Sequence, residues 1–405
     1  MNSWLCFVAL VLAAVGPEVS GAPHKATSPQ LERQVITPVV KGTPEVLGIV
    51  TNPIVNRDSC NSARFQHRTL WTCRDTQYLN EIGDPLDWSI SSTAGWTHQH
   101  LNGEPVVEEL PDGSGPGLLM YGPISNKTAY FPLQDSQCNG NLAGQCNDDT
   151  RYAIWPDSRP LVAKGSDVGV VTAYTWIVNF RIRPDFSTVI PNPSVSLYKI
   201  TWDPTYGESD DEAAAALPSV DVVNGTFWPE DTYPYGAYGH VVHQGVAYLY
   251  GKAANSRIGL AKVDIEDIEK MSAYKFWTSQ GWADSPPPLN DTASAIPNAS
   301  AGGQGTYYYS EVWDSFVWIG QSGFSVSADF FITTSPSPEG PWAEATLFYS
   351  GENGNADLSA YTLQAHPDMV PTGKNEIYLS YTKTDRRNTT RFDIYSTPLI
   401  LVEWE

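Results

Sequence analysis

The chain alternates short aromatic and β-branched runs with polar stretches rich in glycine and proline. Five apolar cores recur, at Leu70–Cys73, Val171–Tyr174, Ala247–Tyr250, Phe316–Ile319 and Ile377–Ser380. Each is followed by a stretch that reads as the next strand: Trp88–Trp96, Ser194–Trp202, Ile258–Val263, Ala328–Ser335 and Phe392–Leu399. Short runs of this composition, bounded by turn residues, predict strands rather than helices. Ile265–Ser272 reads as a brief helical turn, and Glu208–Ala216 as a solvated loop or short helix. Five such units, spaced more widely than the common propeller repeats of roughly 40 to 50 residues, predict an all-β fold. The expected architecture is a five-bladed β-propeller, one four-stranded sheet per blade, closed by a strand at Leu399–Val402. The innermost strands of such a ring converge on one axis, so residues distant in sequence share one pocket.

The repeat fills residues 45–405, which reads as one catalytic domain. Residues 23–44 show no periodicity and read as a flexible leader. Residues 1–22 read as a secretory signal: Leu5–Val15 is too short an apolar run to span a membrane, and Val19–Ala22 offers small residues for cleavage. Sequons begin at Asn126, Asn224, Asn290, Asn298 and Asn388, each an expected glycosylated surface loop of a secreted protein. Cys6 leaves with the signal. The remaining four cysteines predict two disulfides in an oxidising compartment, and the expected pairs are Cys60–Cys73 and Cys138–Cys146. No histidine stands at zinc-like spacing from them. A net charge of −21 with scarce lysine disfavours nucleic acid. A monomer with a polysaccharide or oligosaccharide partner, and no membrane, is the expectation.

The residues just before each apolar core should face the channel. They include Asp58, Asp157 and Glu311, from three different units. Glycoside hydrolysis needs one carboxylic acid to protonate the leaving oxygen and one carboxylate to attack or activate water. A third carboxylate raises the acid's pKa by repulsion. The structural alternative is that Asp58 and Asp157 hold turns or pair with Arg57 and Arg159. Arg159 suits either a bidentate grip on a uronate or a lock on Asp157. His240 and His366 open strands in other units, where they satisfy a core network, touch substrate or hold an ion. Trp155 and Tyr308 stand beside the acids, as sugar-stacking platforms or as blade packing.

Several motifs carry a family resemblance. Asn56-Arg57-Asp58-Ser59, followed by Leu70-Trp71 and Asp75-Thr76, resembles the first blade of secreted five-bladed propellers of the domain-of-unknown-function 4185 group. The third unit agrees, with Tyr248-Leu249-Tyr250-Gly251, Gly259-Leu260-Ala261-Lys262-Val263 and Tyr274-Lys275-Phe276-Trp277. Thr334–Trp342 is similar to the blade-closing segment of five-bladed glycosidases such as glycoside hydrolase family 43. The resemblance implies carbohydrate chemistry of the arabinan or furanoside type, with Asp58 at the position of a catalytic carboxylate and Glu311 or Asp157 as its partner. Two departures stand out: His240 where some glycosidases carry a carboxylate, and Cys73-Arg74 in place of Phe-Gly.

The reading is therefore a secreted glycoside hydrolase, with Asp58 as base or nucleophile, Glu311 as acid and Asp157 as tuner. A lyase acting at a glucuronate-linked sugar, of the rhamnose–glucuronate type, would use Arg159 with His240 or a tyrosine. A lectin-like propeller would keep the aromatic platform without the carboxylates. No cofactor is required; a calcium ion in the central channel is compatible with all three.

Overall fold

The computed structural model describes residues 35–123, 128–140, 143–204, 215–387 and 393–405. The signal segment, most of Glu208–Ala216 and the sequons at Asn126 and Asn388 lie outside these residues. Apart from short 3₁₀ turns, among them Ile265–Asp267 and Met271–Ala273, the regular structure of the described residues is β.

Each apolar core is the second strand of an antiparallel meander. The first sheet is Cys60–Phe65, Arg68–Cys73 and Thr93–His98, to which Tyr121 adds a bridge through Trp96. The second is Leu161–Lys164, Val171–Val178, Val195–Trp202 and Ser219–Trp228. The third opens on Gly239–His243, Val246–Lys252, Ile258–Asp264 and Lys275–Thr278. The fourth is Gly302–Ser310, Ser315–Ser322, Asp329–Ser335 and Thr346–Ser350. The fifth is Ala360–Ala365, Glu376–Arg386 and Pro398–Glu403, completed by Glu45–Thr51 from the other end of the chain.

Side-chain alternation explains how the sheets assemble. Successive residues of a strand face opposite sides of the sheet. Tyr174, Trp176 and Val178 face the third sheet, packing with Leu249 and Phe276, while Ala173 and Ile177 pack with Phe65 and Trp96 of the first. Phe316 and Trp318 meet Tyr250 and Leu260 of the third sheet, while Val317 and Ile319 meet Leu379 and Ile400 of the fifth. A further cluster joins Trp71 and Cys73 of the first sheet to Tyr378 and Leu399 of the fifth. Among the described residues the core is therefore five apolar layers, and each of these five sheets packs against two of the others.

Three boundaries differ from the sequence reading. Trp88–Trp96 divides into Pro85–Ile90, in a small sheet with Val55–Arg57 and Thr76–Leu79, and Thr93–His98. The break is at Ser92, whose carbonyl and hydroxyl accept the amides of Tyr130 (3.0 Å) and Phe131 (3.0 Å). Phe392–Leu399 gives Asp393–Ser396 and, after Thr397, Pro398–Glu403, which pair with different halves of one long strand. The segment read as a leader is already paired near its end: Val40 bridges Trp404, and the Lys41 amide donates to Glu403 (2.8 Å). Cys60–Cys73 and Cys138–Cys146 are both disulfides. Asn290 and Asn298 are exposed in loops, whereas Asn224 is exposed within a strand. No helix among the described residues is long and apolar enough to cross a membrane.

Candidate active site

Asp58 is positioned by the backbone on both sides of it. Cys60 and Cys73 face each other in register and are cross-linked. The pairing continues past them, with the Asp58 amide donating to the Asp75 carbonyl (2.9 Å) and the Arg74 amide to the Asp58 carbonyl (3.0 Å). Residues 58, 74 and 75 are thereby held together where the first sheet opens. Arg74 reaches across to the second sheet, where its Nε donates to Asp157 Oδ1 (2.6 Å) and a terminal nitrogen contacts the same oxygen. Ser59 Oγ donates to Asp58 Oδ1, and this hydroxyl lies 2.8 Å from Thr362 Oγ1 of the fifth sheet.

The electrostatics follow from this enclosure. Burial pushes the Asp58 carboxyl up to about 6, against the pull of Arg74 and the Ser59 and Tyr361 hydroxyls. Burial also raises Asp157, and Arg74 limits that rise. Burial works against the Arg74 cation, yet Asp157 and Asp58 hold it above its ordinary value. Tyr361 is raised well above the usual phenol range by burial and by Asp58, so it stays a neutral donor to that carboxylate.

Asp58, Arg74, Asp75, Arg151, Tyr361 and Tyr395 line one open cleft of about 630 Å³. Trp155 forms its wall, packed between Arg74 (5.0 Å from the ring centroid) and Arg151 (5.6 Å). Arg151 holds Asp75 through both carboxylate oxygens, one at 3.0 Å. The rim comes from Gln145, inside the loop closed by the second disulfide, from Asp149 just after it, and from the turn carrying Arg183 and Phe186. Of the three carboxylates lining the cleft, Asp75 is engaged on both oxygens and Asp58 sits at the wall. Asp149 is exposed and has no salt bridge among the described residues.

The sequence-predicted residues divide into three groups. Asp58, Asp157 and Trp155 come together around Arg74. Glu311 does not join them: it is exposed in the turn after Gly302–Ser310 and lines a different cavity with Tyr308 and Trp313. The expected pairing of Asp58 with Glu311 is not formed, because Asp58 precedes the first strand of its sheet whereas Glu311 follows the first strand of its own. Tyr308 is 8% exposed and packs with Val317 and Ile319.

Arg159, His240 and His366 form the third group, inside the protein. Arg159 pairs with Asp368 (2.6 Å) rather than Asp157, and its carbonyl lies 2.7 Å from His240 Nε2. His366 lies 2.7 Å from both the Ser62 and the Ser380 hydroxyl. Burial lowers both imidazoles to about 3, so both are neutral. None of the three lines the cleft.

Sequence reasoning gave no site role to Arg74, Asp75, Asp149, Arg151, Arg183, Tyr361 or Tyr395, although it met Arg74 and Asp75 in the first-blade motif. Arg74 carried a signal: a charged residue directly after an apolar strand core, at a position where the resemblance expects glycine.

The sequence profile of a domain of unknown function (DUF5005) matches residues 207–398. No curated protein matches the chain. A candidate hydrolase from Bacteroides ovatus ATCC 8483 is similar in structure, with a TM-score of 0.54 at 16% identity, over 88% of this chain and 87% of that one. That likeness shows a common fold. A GH43_1 enzyme from Xanthomonas citri solved with xylose (TM-score 0.42, 10% identity, 88% and 89% covered) is more distant. So is an exo-β-1,3-galactanase from Phanerochaete chrysosporium (TM-score 0.41, 7% identity, 89% and 64% covered). The resemblance to the 4185 group has no counterpart among these matches.

Proposed function

We propose that the chain is a secreted five-bladed β-propeller glycoside hydrolase that cleaves polysaccharide at the Asp58 cleft. The five sheets and their five apolar layers support the blade count, and the two disulfides suit an extracellular protein. The observation that carries the enzymatic reading is Asp58 itself. It is a cleft-lining carboxyl raised to about 6, beside an arginine shared with a second aspartate. A carboxyl raised by burial is suited to be the acid of a glycosidase. Asp58 therefore donates its proton to the leaving oxygen, which reverses the base or nucleophile role read from the sequence. Asp149 replaces Glu311 as the second carboxylate and takes the proton of the attacking water. Asp157 fixes Arg74 and, through it, the charge felt by Asp58.

Elimination is the weaker reading. The pair it was expected to use, Arg159 with His240, lies inside the protein, and Tyr361 is held protonated against Asp58. The arabinan or furanoside preference rests on the resemblance alone.

The test is product analysis on plant and microbial polysaccharides. Hydrolysis releases reducing ends without the ultraviolet absorbance of an unsaturated uronate. Asp58→Asn and Asp149→Asn should each lower the rate by about 100- to 10,000-fold, the usual worth of acid–base catalysis. Full activity in Asp58→Asn would remove the proposal.

A further inference from the structure

The turn at the cleft mouth has a composition that the hydrolytic machinery does not use. Phe186 is 70% exposed, at a backbone φ of 64° that bulky side chains avoid. The turn is nevertheless well held. The Phe186 amide donates to the Arg183 carbonyl (2.9 Å) and the Arg183 amide to the Ser187 carbonyl (2.9 Å). Asp185 Oδ1 accepts from both the amide (3.0 Å) and the hydroxyl (2.6 Å) of Ser187. An aromatic ring is thus presented to solvent on a fixed loop, and its ring lines the cleft.

Charge adds a second, independent observation. The whole chain carries 45 acidic and 24 basic residues. The cleft instead balances Arg74, Arg151 and Arg183 against Asp58, Asp75 and Asp149. Arg74 is committed to Asp157, and Arg151 to Asp75. Arg183 donates through Nη1 to the Thr188 carbonyl (2.9 Å) and the Ser187 hydroxyl (3.3 Å). Among the described residues it forms no salt bridge. Its other terminal nitrogen and Nε are donors with no protein acceptor in these bonds, at the mouth of a cleft in an otherwise acidic protein.

We propose that Arg183 and Phe186 form a binding subsite for a carboxylate-bearing sugar, so that the substrate is an acidic, uronate-containing polysaccharide. The pyranose C–H face stacks on Phe186, and the uronate carboxylate accepts from the Arg183 guanidinium. This rests on the cleft being a carbohydrate site, but not on the bond being hydrolysed there.

The test is calorimetric binding to the full protein. The probes are trigalacturonate and a glucuronate-substituted xylo-oligosaccharide, with unsubstituted xylotriose as the neutral comparator. At least one acidic probe should bind at least tenfold more tightly than xylotriose, and its binding should weaken with salt. Arg183→Gln should abolish that preference, weakening the acidic probe at least tenfold more than xylotriose. Phe186→Gly should weaken binding while leaving the melting temperature unchanged or higher, because glycine accepts this φ. A melting temperature that falls with binding would show a structural role and overturn the stacking assignment. Equal binding of acidic and neutral probes, no binding of either, or an unaffected Arg183→Gln would overturn the subsite. Reducing-end release by the wild type is read separately. Acidic probes bound but not cleaved would overturn hydrolysis and leave the subsite standing; neutral oligosaccharides cleaved without acidic preference would do the reverse.

Discussion

At the scale of single residues, Asp58 and Arg74 determine what the cleft can do. As the proton donor, Asp58 must be protonated, so activity should fall as pH rises through about 6; a limb that rises there instead would make it the base. Stability carries the same signature. The carboxyl's value is about 6 in the fold against 3.8 without it. Between those values the unfolded chain loses its proton first, so the native state weakens as pH rises through this window and levels off above it. Asp58→Asn should remove that decline, measured by urea unfolding at pH 4, 5, 6 and 7. Arg74 should behave differently. Its side chain is 9% exposed and Asp157's 23%, so Arg74→Gln strands a mostly buried carboxylate. The expected cost is about 3–5 kcal/mol. Adding Asp157→Asn should recover much of it; an additive loss would mean that the two residues are not coupled.

At the scale of elements, two strands from either side of the first unit approach too closely for side chains between them. Glu45–Thr51 runs parallel to Pro116–Leu119. A Cβ on Gly117 would come within 2.2 Å of the Ile49 carbonyl oxygen, and one on Gly48, where the register shifts, within 1.8 Å of Pro116 O. Gly117→Ala should therefore cost about 1–3 kcal/mol as overpacking. Gly113→Ala is the contrast. It has open space but a φ of 71°, and should cost only about 1 kcal/mol of backbone strain. Thermal melts of the two variants decide this, and equal losses would mean that strain rather than packing governs.

At the scale of the molecule, the fifth sheet is completed by a strand from the other end of the chain. Glu45–Thr51 pairs with Pro398–Glu403, and Val50 joins the apolar layer between the fifth and first sheets. Removing the chain through Thr51 would expose the edge of Pro398–Glu403 and open that layer. The truncated protein should lose its single cooperative melt and bind a hydrophobic dye. A truncated protein that melts as the full chain does would show that the fold does not need this strand.

Much of this was legible in the sequence, because strand cores, turn residues and cysteines act locally. The five apolar cores fall in five strands, and both cysteine pairs were readable from closely spaced positions. That Asp58, Asp157 and Trp155 come together also had a local signal, since each lies in the segment leading into the first strand of its sheet. Partnership was not legible. Arg74 bypasses its neighbour Asp58 to contact Asp157, 83 positions away, and Arg159 passes over Asp157 for Asp368, 209 positions away. Which end of a sheet a residue occupies depends on whether it precedes or follows the first strand, and this separated Glu311 from Asp58. The same assembly set the charge state of the site, because burial in the assembled fold is what raises Asp58. Local sequence determines strands and turns through steric preference and side-chain periodicity. Only the packing of the sheets against one another decides which distant charges meet and how much water they keep.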